Sequence, residues 1–166
     1  LLDLCQSEGI DIRWVESNST IRTCITLLVG ETKETTEIIE PTEAVDQRTV
    51  EEIEKLFRKE IENADWMVFA GTRSPGYPKN TFVEFCRVVA ERGIPIVADF
   101  WGDELAECFA MGLRVVKINL VEFTRTFLPE VQVSEADDAS AVDAVREKMI
   151  SLSLQGCDFV ITRGAR

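Results

Sequence analysis

Residues 94–119 read IPIVADFWGDELAECFAMGLRVVKIN, and the fold turns on how this stretch is divided. IPIVADF (94–100) and LRVVKIN (113–119) are short apolar runs bounded by glycine, which suits strands buried in a parallel sheet. DELAECFAM (103–111) between them opens on acidic residues and has the length of a short crossover helix. The same alternation continues outward. Upstream stands the strand DWMVFAG (65–71), then a helix from about Lys79 to Arg92, opened by Pro78 and stopped by Gly93. Downstream come a short helix LVEFTRTF (120–127), an acidic connection over 129–139, a helix opened by Ser140 and Asp143, and the strand CDFVITRG (157–164). Four apolar strands separated by helices predict an α/β fold, a largely parallel sheet with helices on both faces.

The first third of the chain reads differently. IDIRWV (10–15) and TIRTCITLLV (20–29) alternate apolar and polar residues like half-exposed strands, joined by the polar turn 16–19, and Thr35 to Glu40 form a third extended piece ending at Pro41. From Thr49 the period lengthens: Val50, Ile53, Leu56, Phe57 and Ile61 recur at three- and four-residue steps, an amphipathic helix ending near Asn63. The expected organisation is a small β-sheet lid over residues 1–48 and an α/β core over 49–166.

Composition narrows the function. The chain has 166 residues, 18 basic against 30 acidic, for a net charge of -12. Such a surface disfavours nucleic acid or an anionic membrane as a partner, because phosphate backbones are bound by Lys and Arg. No apolar run approaches the roughly 18 residues a membrane helix needs, and the start has no basic segment leading into an apolar one. There is no histidine, which removes His-based triads and His–metal sites. Five widely spaced cysteines without a C-x-x-C pair read as small buried residues in a reducing cytoplasm. The first residue is Leu, so the chain is expected to begin inside a longer protein.

In an open parallel sheet, ligands lie beyond the carboxyl ends of the strands. After the first strand come Gly71, Thr72, Arg73, Ser74, Pro75 and Gly76, leading through Pro78 and Lys79 into a helix. Backbone N–H groups and hydroxyls at a helix start suit an anion, but the segment lacks the Lys-Ser/Thr of a P-loop. Asp99 ends the next strand, placed either to orient ligand hydroxyls or to cap the following helix. Asn119 and Glu122 share the first turn of a helix, which suits either a capping box or two oxygen ligands for Mg²⁺. Thr162 and Gly164 stand at the last loop mouth. Arg22 lies in the lid, either as a solvated face residue or as a planar fork for a phosphate. An anion, a cation and a hydroxylated ligand on one sheet edge fit phosphoryl transfer.

The order of these segments resembles the PfkB (ribokinase-like) family of carbohydrate kinases, in its 1-phosphofructokinase and tagatose-6-phosphate kinase branch. Residues 21–26 (IRTCIT) are similar to the branch's T-R-T-C/N-I-T strand, and 36–41 (TEIIEP) to its T-E-hydrophobic-hydrophobic-E-P segment. Residues 69–76 (FAGTRSPG) stand in the place of S-G-S-L-P-P-G, 99–102 (DFWG) of D-x-S-G, 117–122 (KINLVE) of K-P-N-x-x-E, and 161–165 (ITRGA) of the start of T-L-G-x-x-G-A.

The resemblance implies Mg-ATP-dependent phosphorylation of a sugar or sugar-phosphate hydroxyl between an α/β body and a β-lid. Arg22 and Thr72 would hold the substrate phosphate. Lys117, Thr162 and Gly164 would lie near ATP, and Asn119 and Glu122 would organise Mg²⁺ through its waters. The lid would form a homodimer contact. The family's G-A-G-D element, which carries the catalytic Asp, and its N-terminal glycine pair have no counterpart here, so the chain is expected to be a fragment without a catalytic residue and inactive alone. Arg73, Ser74, Phe100, Trp101, Ile118 and Arg163 stand where the family has other residues. Those at 73–74, 100–101 and 118 motivate the alternative of a degenerate, non-catalytic member that binds a nucleotide or sugar phosphate, or acts as an interaction protein.

Overall fold

The computed structural model describes residues 2–32, 34–131 and 142–163. Its contacts divide the chain into two units, residues 1–60 with 73–77, and residues 61–72 with 78–166.

The first unit opens with a short helix, α1 (Leu2–Ser7). Strands β1 (Cys24–Leu28) and β2 (Thr35–Ile39) pair antiparallel, with Ile25 opposite Ile38 and Leu27 opposite Thr36. Residues 10–15 form no strand, contrary to the alternation read there. Ile10 and Trp14 are both more than half exposed, so the apolar positions of that segment have no sheet face to join. The hairpin accordingly joins β1 to β2 rather than 10–15 to 20–29, and the Val29 N–H donates to the Glu34 carbonyl at 2.9 Å at its closed end.

Below the hairpin, residues 18–23 and 40–46 are laced together largely by side chains. Backbone N–H groups of Thr20 and Thr23 donate to Glu43 (2.9 Å) and Glu40 (2.7 Å), and the Asp46 N–H donates to Asn18 Oδ1 (3.2 Å). The Thr20 N–H holds the Glu43 carboxyl below the usual carboxylate range. Helix α2 (Gln47–Glu60) follows the amphipathic period, continues as a 3₁₀ turn through Asn63, and is capped by Asp46, whose Oδ1 accepts the Thr49 N–H at 2.8 Å.

The second unit is a parallel sheet of β3 (Met67–Ala70), β4 (Ile96–Asp99), β5 (Val115–Asn119) and β6 (Asp158–Thr162), in sequence order. Helices α3 (Thr81–Glu91), α4 (Asp103–Phe109), α5 (Leu120–Phe127) and α6 (Val142–Ser153) make the connections. The start of the last helix at Ser140 and most of the acidic connection fall outside the described residues. Register puts Phe69, Ala98, Val116 and Phe159 in one row across the sheet. The first three are buried, as the period-two pattern of a covered face requires. The alternate positions Val68 and Val160 are exposed.

Two aromatic groups fill the covered side. Phe82 stacks on Phe100 at 4.4 Å between centroids and meets Phe69 edge-on at 6.2 Å. Phe109, Phe123, Phe127 and Phe159 form the second group, with centroids 5.2–5.9 Å apart. Three of the five cysteines, Cys86, Cys108 and Cys157, are the small buried residues the sequence predicts; Cys24, on the two-stranded sheet, is exposed and Cys5 is half-buried, because neither of their elements has a covered face. Contact with Cys108, followed by burial, pushes the Cys86 thiol far above its ordinary range, and burial pushes Cys157 up to about 11.

Candidate functional site

The carboxyl edge of the parallel sheet collects the residues that the sequence singled out in this unit. At the end of β3, Gly71 takes φ +92°, and its N–H donates to the Asp99 carbonyl at 3.1 Å. That bond extends the β3–β4 ladder by one step and delivers Thr72, exposed, to the loop mouth. Asn119 ends β5 directly opposite Thr162 at the end of β6. Lys117 and Asp99 lie inside the edge, on neighbouring strands. Gly164 falls outside the described residues.

Asn119 and Glu122 form a reciprocal capping box on α5. The Glu122 N–H donates to Asn119 Oδ1 at 2.8 Å, and the Asn119 N–H donates to Glu122 Oε2 at 2.9 Å. The capping alternative is therefore realised. It does not exhaust the pair, since a carboxylate and an amide oxygen each have lone pairs left after one hydrogen bond. Two hard oxygen donors without a third acidic neighbour fit Mg²⁺, which binds through few protein groups and keeps its waters. Among the described residues no group of three or more Cys, Asp or Glu could cage a metal ion.

Asp99 does not cap the following helix. Helix α4 starts at Asp103 with Gly102 at its N-cap and no side-chain cap. The Asp99 carboxylate instead receives the Lys117 ammonium on both oxygens, at 3.2 and 3.0 Å. Sequence reading missed this pair because the two residues are 18 positions apart and meet only through strand register. The loop after Asp99 is tied to α5: the Gly102 N–H donates to Thr126 Oγ1 at 2.9 Å, and that hydroxyl donates to the Glu122 carbonyl at 2.7 Å.

The start of α3, read as an anion position, is served from within the protein. Glu104 Oε1 accepts the Phe82 N–H of the first turn at 3.1 Å. A carboxylate there satisfies an orphan donor and complements the helix dipole, leaving Thr72 rather than the α3 N-terminus as this unit's anion ligand candidate.

Arg22 and residues 73–77 belong to the other unit. The Arg22 guanidinium donates to Thr42 Oγ1 at 3.2 Å and is otherwise exposed. Arg73 donates to the Tyr77 carbonyl at 3.2 Å, closing its loop on itself.

The chain thus holds one unit with a two-stranded antiparallel sheet and one parallel α/β unit with polar residues at its carboxyl edge. Residues 1–165 match the pfkB family of carbohydrate kinases, and the chain belongs to that family. None of the curated proteins matches it in sequence. Among solved structures, Escherichia coli phosphofructokinase-2 in complex with fructose-6-phosphate aligns at 20% identity with a TM-score of 0.72, covering 98% of this chain and 52% of that one. The tetrameric inhibited form of the same enzyme gives 21% identity and a TM-score of 0.68, covering 93% and 48%. A Thermotoga maritima protein described as a possible 1-phosphofructokinase gives 22% and 0.58, covering 76% and 40%. These likenesses show the ribokinase-like fold. The chain spans about half the length of the Escherichia coli enzyme.

Proposed function

We propose that the chain is part of an ATP- and Mg²⁺-dependent kinase that phosphorylates a hydroxyl of a sugar or sugar phosphate. The observation that carries this reading is the edge formed by Asn119, Glu122 and Thr162, present in a member of the carbohydrate kinase family. Mg²⁺ would be held by Asn119 and Glu122 through water and would neutralise phosphate charge. Lys117, Thr162 and Gly164 would face the nucleotide, and Arg22 and Thr72 the substrate phosphate. Five cysteines without a disulfide suit the cytoplasm. No helix among the described residues is long and apolar enough to cross a membrane.

The direct test is ADP release by the full protein containing this chain, supplied with Mg-ATP and fructose 6-phosphate or a neutral hexose. ADP binding without release would favour the non-catalytic alternative, for which the engagement of Lys117 by Asp99 speaks. Glu122→Gln separates the metal role from the capping role, because glutamine can also complete a capping box. The fold should survive, and the Mg²⁺ concentration for half-maximal rate should rise severalfold. An unchanged titration would return Glu122 to capping alone.

A homodimer through the lid completes the reading. Both faces of the two-stranded sheet carry exposed apolar residues, among them Ile25 and Ile38, paired side by side. A lone hairpin is marginal in water unless something covers it. Ile25→Glu should shift the protein from dimer to monomer in sedimentation; a dimer of unchanged stability would sink the lid contact.

A further inference from the structure

Trp101 stands on the loop that leaves the carboxyl end of β4, and the residues on either side of it are fixed. Phe100 is 5% exposed and stacks on Phe82 at 4.4 Å. Gly102, at φ +94°, donates its N–H to Thr126 Oγ1 at 2.9 Å. Between these two anchors Trp101 stays 47% exposed, with the Arg125 guanidinium over its ring, 5.9 Å from the centroid. The ring is set in place before any ligand arrives, so a ligand that covers it loses little to ordering of the loop.

A single exposed apolar side chain is ordinary on a protein surface. Position sets Trp101 apart. Trp66, of similar exposure, immediately precedes β3 at the amino edge of the sheet, whereas ligands of open α/β folds lie beyond the carboxyl edge. Register pairs Ala70 with Asp99, so Thr72 and Trp101 each lie two residues past a paired position on neighbouring strands. The Gly71 N–H, donating to the Asp99 carbonyl at 3.1 Å, holds the two exits together. The candidate nucleotide and metal ligands belong to the next two strands, β5 and β6.

A flat apolar face on the exit next to Thr72, a candidate phosphate ligand, matches the chemistry of a phosphorylated sugar. A sugar ring presents C–H groups on one face and hydroxyls around its rim. An indole can cover the first, and the guanidinium over it can donate to the second.

We propose that Trp101 is a specificity-determining residue, the platform on which the apolar face of the substrate's sugar ring rests. This rests on the kinase reading above and gives a ligand to a residue which that reading leaves unused.

The test compares sugar with nucleotide in the full protein. Trp101→Ala should raise KM for fructose 6-phosphate about tenfold while KM for Mg-ATP stays within about twofold. Trp101→Phe keeps a flat apolar face and should recover most of the loss. An unchanged fructose 6-phosphate KM in Trp101→Ala, or an equal rise for Mg-ATP, would overturn the platform and leave the kinase reading standing. Tryptophan emission gives a second readout that needs no turnover. Fructose 6-phosphate should change the emission of the unaltered protein, and Trp101→Phe, which keeps Trp14 and Trp66, should lose most of that change. A change that persists in Trp101→Phe overturns the inference. If the unaltered protein binds fructose 6-phosphate without transferring phosphate, the kinase reading fails while the emission still decides on Trp101. If it binds no sugar phosphate, both fall.

Discussion

Phe123→Ala is expected to destabilise the parallel-sheet unit by about 3–5 kcal/mol, in the range for emptying a buried phenylalanine site. Phe123 is fully buried, and its ring meets Phe127 at 5.2 Å and Phe159 at 5.8 Å, the latter edge-on. It therefore ties α5 to β6 within the four-ring group. Truncation removes the area term and leaves a void bounded by rings that cannot all close on it, because Phe127 and Phe159 are also held by Phe109. A unit of this size loses roughly 4–8 °C of melting temperature per kcal/mol, so a thermal melt should fall by well over 10 °C. Phe123→Leu keeps most of the volume and should cost much less. Equal losses for the two variants would mean that the ring geometry, and not the filled space, carries the stability.

Arg22→Ala is expected to have the largest effect on substrate use. The side chain is exposed and makes one hydrogen bond, to Thr42, so its removal should leave the melt nearly unchanged. A hydrogen bond to a charged group is worth about 1.5–3 kcal/mol, which translates to a rise of roughly 10- to 150-fold in KM for a phosphorylated sugar. A neutral hexose has no charge for the guanidinium to meet and should change little. Arg22→Lys keeps the charge but loses the planar fork, and should recover only part of the affinity. Equal losses with the phosphorylated and the neutral substrate would return Arg22 to an ordinary position on the lid.

The parts of the fold that were legible in sequence are those where burial dictates composition. The apolar runs at 94–100 and 113–119 lie across β4 and β5, and the three- and four-residue steps of Val50, Ile53, Leu56 and Phe57 mark α2. The lid was read less well. Its strands are exposed on both faces, so alternation alone does not fix which segments pair, and a pairing of 10–15 with 20–29 reads as plausibly as the 24–28 with 35–39 that forms. The helix at Leu2–Ser7 is short, with no buried residue to impose a period.

The site divides along the same line. The Asn119–Glu122 spacing is local, so the capping box could be written down from four residues. The Lys117–Asp99 pair and the Glu104 bond to the α3 N-terminus depend on strand register and helix packing, which no short motif encodes.

The sequence-ordered sheet has a bearing on how the chain assembles. Register partners Ala98 and Val116 are 18 positions apart, Phe69 and Ala98 are 29, and Val116 and Phe159 are 43. The entropy of closing a chain segment grows only with the logarithm of its length, so the shortest and longest of these closures differ by about 0.8 kcal/mol. That is less than the burial of one large apolar side chain, about 1.5–3 kcal/mol. Chain length therefore sets no strong order among the three pairings; the order follows the apolar surface that each pairing hides. The β4–β5 seam has the shortest closure and a fully buried pair in Ala98 and Val116, but it joins only two register pairs against four at β3–β4 and five at β5–β6, so the middle of the sheet has no clear lead over its flanks.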